Sequence, residues 1–116
     1  MVDAFIAAAR GGDLDALVAV LDPEVVLRAD FGPARRAPTP VIRGAAAVAR
    51  SSLGGARGRP AAQLRPALVN GAAGLIMMDG GQPFAVYGFT VAGGKIVEID
   101  IVSDPERLRQ LGLSQQ

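Results

Sequence analysis

The sequence predicts an α+β domain in which three N-terminal helices pack on a strongly curved antiparallel sheet, followed by a short C-terminal helix. Apolar side chains recur at helical spacing near the start of the chain. The second half contains four strand-like runs separated by glycine turns. Several of these runs are apolar on both faces, so one face can cover the helices while the other needs a partner or a pocket. A sheet wrapped around helices into a cone satisfies this pattern.

Two short amphipathic helices are predicted to open the chain. Gly11-Gly12 ends the first helix, because glycine readily adopts the left-handed conformation of a helix terminus. Asp13 is a suitable N-cap for the second helix, and Pro23 prevents that helix from continuing. The two apolar faces consist of Val2, Phe5, Ile6 and Ala9, and of Leu14, Leu17, Val18 and Leu21.

The next segment is predicted to contain a strand, a loop, a helix and a second loop. Apolar side chains recur at every second position of Glu24–Asp30, which predicts a strand. Phe31–Pro40 holds three prolines and reads as a loop. Gly44–Leu53 is rich in alanine and predicts a third short helix, and Gly54–Pro60 predicts another loop.

The remainder is predicted to form an antiparallel meander that ends in a helix. Asp79-Gly80-Gly81 and Ala92-Gly93-Gly94 are hairpin signals. Asp104 as N-cap and Pro105 as first helical residue predict the last helix, with Leu108 and Leu111 facing inward. The four strand-like runs are Gln63–Asn70, Gly74–Asp79, Pro83–Val91 and Lys95–Val102.

Burial is predicted from the same patterns. The side chains expected to be mostly buried are Phe5, Leu17, Leu21, Val25, Leu27, Val48, Leu75, Val86, Phe89, Ile99 and Ile101.

Composition sets further limits. The 116 residues, half of them apolar, fit one domain over 1–116 with its own core. With no cysteine and no histidine, disulfides, thiolate metal sites and the commonest general base are excluded. No apolar run reaches the roughly 20 residues of a membrane span, and Met1-Val2-Asp3 does not resemble a signal peptide. We therefore expect a cytoplasmic location, no cofactor and no metal.

Charge is distributed unevenly along the chain. Residues 1–27 are acidic, whereas residues 28–65 carry eight arginines against Asp30 alone. A basic segment of this kind can face an acidic partner or nucleic acid. A solvated arginine-rich surface is the preferred interpretation, since four Phe and one Tyr are too few for a base-stacking platform.

The order of elements resembles the NTF2-like superfamily, which includes SnoaL-like polyketide cyclases, ketosteroid isomerases and limonene-epoxide hydrolases. Within it, the chain is most similar to the C-terminal SnoaL-like domain of bacterial extracytoplasmic-function sigma factors. The stretches that carry this resemblance are 5–14, 22–30, 68–74, 89–91, 95–102 and 104–108. The resemblance implies an NTF2-like cone.

Two family motifs are comparable with this sequence. The family has Asp-Gly-Gly-Gly-Lys after the first strand, where this chain reads Asp30-Phe31-Gly32-Pro33-Ala34-Arg35. The family ends in Asn-Pro-Asp-Lys-Leu, which Asp104-Pro105-Glu106-Arg107-Leu108 matches in character at each position. In that family both motifs are implicated when the fused domain packs on the sigma regions and regulates them. The resemblance therefore implies regulatory contacts through Arg35, Asp104, Pro105, Glu106, Arg107 and Leu108.

An enzymatic function is the alternative. Asp30 lies near the place of the isomerase base, but the other two catalytic groups of that family fall at Phe5 and Ala85, so isomerase activity is disfavoured. Asp100 could act as the pocket carboxylate of a cyclase, next to Arg28 or Tyr87. An epoxide-hydrolase set could combine Asp30, Arg28 and Asp100. The preferred interpretation is structural, with Asp100 and Glu98 on a polar sheet face or paired with an arginine.

The sequence thus predicts a regulatory, non-catalytic domain with Arg28, Asp30, Tyr87 and Asp100 as the polar lining of a pocket. Its expected partners are the sigma regions or RNA polymerase, a second copy when the domain is isolated, and a small apolar ligand. Direct binding to nucleic acid or membrane is not expected, because the chain lacks the helices and the basic recognition element that promoter binding needs. It is either a domain excised from a sigma factor or a free-standing relative, and a start at Met1 just before the first helix fits both. The alternatives are a free-standing enzyme acting on a small apolar substrate and a plain dimerisation module.

Overall fold

A computed structural model describes residues 1–32, 41–57, 63–69, 71–104, 108–109 and 113–115. The elements in chain order are helices α1 (Val2–Gly11) and α2 (Leu14–Val20), strands β1 (Leu21–Asp30) and β2 (Val41–Arg43), helix α3 (Ala45–Arg57), and strands β3 (Gln63–Val69), β4 (Ala72–Asp79), β5 (Gln82–Ala92), β6 (Lys95–Val102) and β7 (Leu113–Gln115).

The ends of the first two helices are as predicted. Gly12 adopts a left-handed conformation with φ 66°, and its N–H donates to the carbonyls of Ala8 and Ala9. The Asp13 side chain accepts a hydrogen bond from the N–H of Ala16 at 3.0 Å, which makes it the N-cap of α2. The Gly12 C-cap and the Asp13 N-cap together form the tight turn that places α1 against α2.

The strands form one seven-stranded sheet in the order β2-β1-β6-β5-β4-β3-β7. Strands β3 to β6 pair antiparallel in sequence, and Gly80, Gly81, Gly93 and Gly94 have positive φ in the predicted hairpin turns. The predicted α+β cone is confirmed, with three helices on a curved sheet. The sheet is mixed rather than wholly antiparallel, since β1 runs parallel to β6.

The main differences from the prediction are two element boundaries and two additional strands. β1 begins at Leu21 rather than Glu24, and its pairing with β6 shifts between Leu21 and Val26, where Pro23 has no N–H to donate. α3 continues to Arg57, through part of the predicted Gly54–Pro60 loop. The short edge strands β2 and β7 were not predicted. The predicted Phe31–Pro40 loop lies mostly outside the described residues.

The inner face of the sheet packs on the helices and forms the main core. α1 contacts α2, β3 and β4, and α3 contacts α2 and β1. Of the eleven residues predicted to be buried, Phe89 and Ile101 are half-buried and the other nine are buried. The fully buried large side chains include Phe5, Leu17, Leu75, Ile99 and Val25.

The outer face carries a smaller core beneath the C-terminal segment. Leu108 packs there with the buried residues Ala67, Ile76 and Val86. The N–H of Leu108 donates to the Asp104 carbonyl at 2.9 Å, and Leu108 and Arg109 are helical. Pro105, Leu111 and the residues between Pro105 and Leu108 lie outside the described part of the chain. The C-terminal segment thus covers part of the second apolar face of the sheet.

None of the described helices is long and apolar enough to cross a membrane.

Candidate functional site

The carboxyl ends of the parallel strands β1 and β6 lie side by side at one end of the sheet, next to the start of β5. The N–H of Ser103 donates to the carbonyl of Asp30 at 2.8 Å, and the Ser103 hydroxyl donates to the carbonyl of Phe84 at 2.6 Å. The Asp30 carboxylate accepts a hydrogen bond from the N–H of Gly32 at 2.8 Å. This local bond turns the chain directly after β1.

Gly32 and Asp104 approach each other closely at this edge. Gly32 has φ 88°, and a Cβ added there would lie 2.6 Å from both Cγ and Oδ1 of Asp104. A side chain at Gly32 would therefore require the Asp104 side chain to shift. The structure therefore joins the segment after β1 to the start of the C-terminal segment, two places that the sequence analysis treated separately. We name Asp30, Phe31, Gly32, Ser103 and Asp104 the motif edge.

Several predicted contact residues cannot be placed. Arg35 and Pro105, Glu106 and Arg107 lie outside the described residues. Leu108 is buried against the outer face of the sheet, and this packing holds the C-terminal segment in place. Its exposed neighbour Arg109 lies beside a surface cleft of about 320 Å³ that is also lined by Gln82, Pro83 and Leu108. Sequence patterns did not indicate this cleft, although the hairpin before Gln82 and a last helix containing Leu108 were both predicted.

Arg28 and Asp100 lie together on the outer face. The register places them opposite each other, and the Arg28 guanidinium is 3.8 Å from the Asp100 carboxylate and 3.5 Å from that of Glu98. All three side chains are about half exposed, between 41% and 55%. Ion pairs that are this accessible to water contribute about 0–1 kcal/mol, so this cluster braces a surface weakly.

Tyr87 lies on the opposite, inner face. It is 8% exposed and belongs to the main core, with its ring centroid 6.4 Å from that of Phe89. Phe89 in turn makes an edge-to-face contact with Phe5 at 5.1 Å. Burial raises the pKa of the Tyr87 hydroxyl, because the phenolate is poorly solvated there. Near neutral pH the hydroxyl is therefore protonated and able to donate a hydrogen bond.

The four residues chosen from the sequence as a pocket lining are therefore not gathered at one place. Arg28 and Asp100 are neighbours on the outer face, Asp30 is at the motif edge, and Tyr87 is inside the cone. Successive residues of a strand point to opposite faces of the sheet, so a side chain assigned to the wrong face is placed on the wrong side of the sheet. Both Val86 and Tyr87 are buried, so hydrophobicity alone does not show which of them points inward.

The chemistry available at these places is limited. Phe5 and Ala85 are buried apolar residues at the positions of two isomerase groups, and the Asp30 carboxylate is bonded to a backbone N–H. Within the described ranges, no group of three or more acidic side chains is arranged to hold a metal ion.

The fold is similar to that of several solved structures. The extracytoplasmic-function sigma factor SigJ of Mycobacterium tuberculosis aligns with a TM-score of 0.70 and 31% identity, over 93% of this chain and 43% of SigJ. A putative polyketide cyclase from Sinorhizobium meliloti aligns with a TM-score of 0.60 and 19% identity, over 86% of this chain and 91% of the cyclase. An NTF2-like protein of unknown function from Cytophaga hutchinsonii aligns with a TM-score of 0.61 and 16% identity, over 93% of this chain and 90% of that protein.

These matches carry different weight. The two structures below 20% identity establish the fold alone. The sigma-factor match adds sequence similarity, but this chain spans less than half the length of that protein. No protein-family model matches the chain, and no curated protein sequence matches it.

Proposed function

We propose that this chain, a SnoaL-like domain with the NTF2-like fold, is the regulatory domain of a bacterial extracytoplasmic-function sigma factor. It acts in the cytoplasm on transcription initiation, through contacts with the sigma regions or RNA polymerase. The observation that carries this proposal is the 31% identity with SigJ over 93% of the chain. A non-catalytic role agrees with the weak, exposed ion cluster at Arg28 and with the apolar residues Phe5 and Ala85 at two isomerase positions.

The motif edge is the proposed contact surface. Its two segments are joined by the hydrogen bond between Ser103 and Asp30 and by the close approach of Gly32 and Asp104. A partner that contacts one segment therefore meets the other as well. The proposed surface also includes Leu108 and Arg109. The resemblance assigns further contacts to Arg35, Pro105, Glu106 and Arg107, which lie outside the described residues.

Charge reversal at Arg109 provides the first functional test. Arg109 is exposed beside the C-terminal turn, so Arg109→Glu should leave the fold intact while opposing a partner that complements its positive charge. In the sigma factor that carries this domain, we expect promoter-specific transcription to change by roughly threefold or more, the scale of a weakened interface contact. The measurement is run-off transcription with purified RNA polymerase.

Arg50→Glu is the matched control, because Arg50 is also exposed but lies on α3. Deletion of residues 104–116 is the broader test, with circular dichroism as a check since it removes Leu108 from its apolar contacts. If charge reversal and deletion both leave transcription and partner binding unchanged in a folded protein, the regulatory contact is refuted.

A free-standing enzyme is the second candidate, and the cyclase match supports it because the alignment covers 91% of that protein. Its test is turnover of cyclic ketones or epoxides. Loss of such turnover in Asp100→Asn, with regulation unaffected, would favour the enzyme. A coding sequence that continues in frame from sigma regions would favour the regulatory domain.

A homodimer is proposed for the isolated domain, with the outer sheet face as its interface. Leu108 already covers part of the apolar surface there, so the remaining contact area is a mixture of apolar residues and the cluster around Arg28. We expect sedimentation equilibrium to give the dimer mass at micromolar concentration. A monomer mass throughout that range would remove the dimer from the proposal.

A further inference from the structure

The contact between Gly32 and Asp104 involves more than the end of a movable side chain. A Cβ added at Gly32 would lie 2.6 Å from Cγ and Oδ1 of Asp104 and 2.8 Å from its Cβ. Rotation about the Cα–Cβ bond of Asp104 moves Cγ and Oδ1 but leaves Cβ in place. Because carbon atoms this close repel each other strongly, a side chain at Gly32 acts on the backbone of Asp104 as well as on its carboxylate.

The chain is held firmly on the strand side of Asp104. Ser103 donates its N–H to the Asp30 carbonyl at 2.8 Å and its hydroxyl to a carbonyl of β5 at 2.6 Å, and both bonds fix the end of β6 to the sheet. Beyond Asp104, the N–H of Leu108 donates to the Asp104 carbonyl at 2.9 Å. A displacement of Asp104 is therefore passed on to Leu108, because the strand side cannot follow without losing bonds to the sheet.

The position of Leu108 determines whether the outer core is covered. Among the described residues of 104–109, Leu108 is buried, whereas Asp104 is half-buried and Arg109 is exposed. Leu108 packs on the buried residues Ala67, Ile76 and Val86. Burial of one leucine and overpacking at one close contact are comparable in free energy. A clash at Gly32 is therefore large enough to lift Leu108 from the sheet.

We propose that Gly32 and Asp104 form a steric latch, which couples the path of the chain after β1 to the seating of Leu108 on the outer face. When the segment after β1 shifts toward Asp104, Leu108 leaves the sheet and the apolar residues beneath it become accessible. The coupling is reciprocal, so loss of Leu108 from the sheet also loosens the segment at Gly32. The regulatory use of this latch rests on the proposed function, since a partner at the motif edge shifts both segments together.

Amide hydrogen exchange of the intact chain, followed by NMR, tests the latch in the variant Gly32→Ala. We expect the Leu108 amide to exchange faster than in wild type by roughly tenfold or more, the scale of an overpacked contact that opens one local segment. The amides of β5 and β6 should keep their wild-type rates, because the displacement passes to the C-terminal segment and leaves the strands paired.

Two further variants separate the clash from the backbone strain of alanine at a positive φ. Gly44 has φ 95°, and no described atom lies within 4 Å of its added Cβ, so Gly44→Ala introduces the strain alone and should leave Leu108 exchange unchanged. Asp104→Gly removes the three atoms nearest to the added Cβ at Gly32. In that background, Gly32→Ala should change Leu108 exchange by less than roughly twofold, as for two sites without a remaining contact.

Leu108→Ala tests the latch in the reverse direction and decides the case if Gly32→Ala does not fold. The N–H of Gly32 donates to the Asp30 carboxylate at 2.8 Å, so its exchange reports on the segment after β1. We expect that amide to exchange roughly fivefold faster or more in Leu108→Ala, the lower end of coupling between two sites. The exposed neighbour provides the control, since Arg109→Ala should leave Gly32 exchange unchanged.

Three results would each overturn the latch. Leu108 could exchange as slowly in folded Gly32→Ala as in Gly44→Ala, its acceleration could persist undiminished with Asp104→Gly, or Leu108→Ala could leave the Gly32 amide unaffected. All of these measurements use the chain without sigma regions or RNA polymerase. Failure of the latch therefore leaves the proposed function standing, whereas unchanged transcription in the tests above would refute the function without affecting the exchange results.

Discussion

Gly74→Ala is expected to destabilise the protein by about 2–3 kcal/mol, the scale of overpacking in a close-packed interior. A Cβ at Gly74 would lie 2.5 Å from the carbonyl oxygen of Tyr87 and 2.7 Å from Cγ2 of Val69. The first of these atoms belongs to the backbone of β5, which cannot move away without disturbing the β4–β5 pairing. Guanidinium denaturation followed by far-UV circular dichroism measures the loss as a lower midpoint.

Gly88→Ala is the matched control for this prediction. Gly88 pairs directly with Gly74 across the two strands, yet the nearest atom to its added Cβ is the Asp100 carbonyl oxygen at 3.9 Å. That distance is ordinary contact, so we expect a change of less than about 0.5 kcal/mol, as for substitutions without a specific clash. If the two substitutions lower the free energy of unfolding equally, the close approach at Gly74 does not affect stability.

Local signals account for most of the fold that could be predicted. Gly12 and Asp13 act through bonds to residues within four positions, so the sequence nearby contains the information. The hairpin glycines at 80, 81, 93 and 94 likewise act within their own turns. Strand pairing across long separations has no such signal. The parallel partner of β1 is β6, roughly seventy residues later, and only the closed sheet determines that choice.

Boundaries were less predictable where two local preferences conflict. Gly54 and Gly55 favour a loop, but α3 continues through them to Arg57. Pro23 disfavours a strand, but β1 passes through it where its ladder with β6 is interrupted. β2 and β7 have three residues each, too few for an alternating pattern to be recognised.

The candidate site shows the limit of strand patterns more clearly. Arg28 and Asp100 could be assigned to one face of the sheet from the sequence, because polar and apolar residues alternate along both strands. Tyr87 could not, because β5 is buried on both sides, by the helices on one face and by Leu108 on the other. The contact between Gly32 and Asp104 joins residues 72 positions apart. The two family motifs identify both segments, but nothing in their sequences indicates that the segments are in contact.

Phe5→Ala is expected to cost about 3–5 kcal/mol, the range for removing a buried aromatic side chain. Phe5 is 1% exposed, and its ring meets that of Phe89 edge to face at 5.1 Å. It joins α1 to β5 within the main core, so its removal leaves a cavity at the junction between helix and sheet. Thermal and guanidinium unfolding should both show the loss.

Val91→Ala is the control for the loss of an apolar side chain, because Val91 is 47% exposed and lies two residues beyond Phe89 in β5. We expect its effect to stay below about 1 kcal/mol, since most of its surface is already in water. Phe5→Leu should fall between the two, because it keeps an apolar side chain but loses the ring contact with Phe89. If Phe5→Ala costs no more than Val91→Ala, the helices contribute little to the core that holds the cone together.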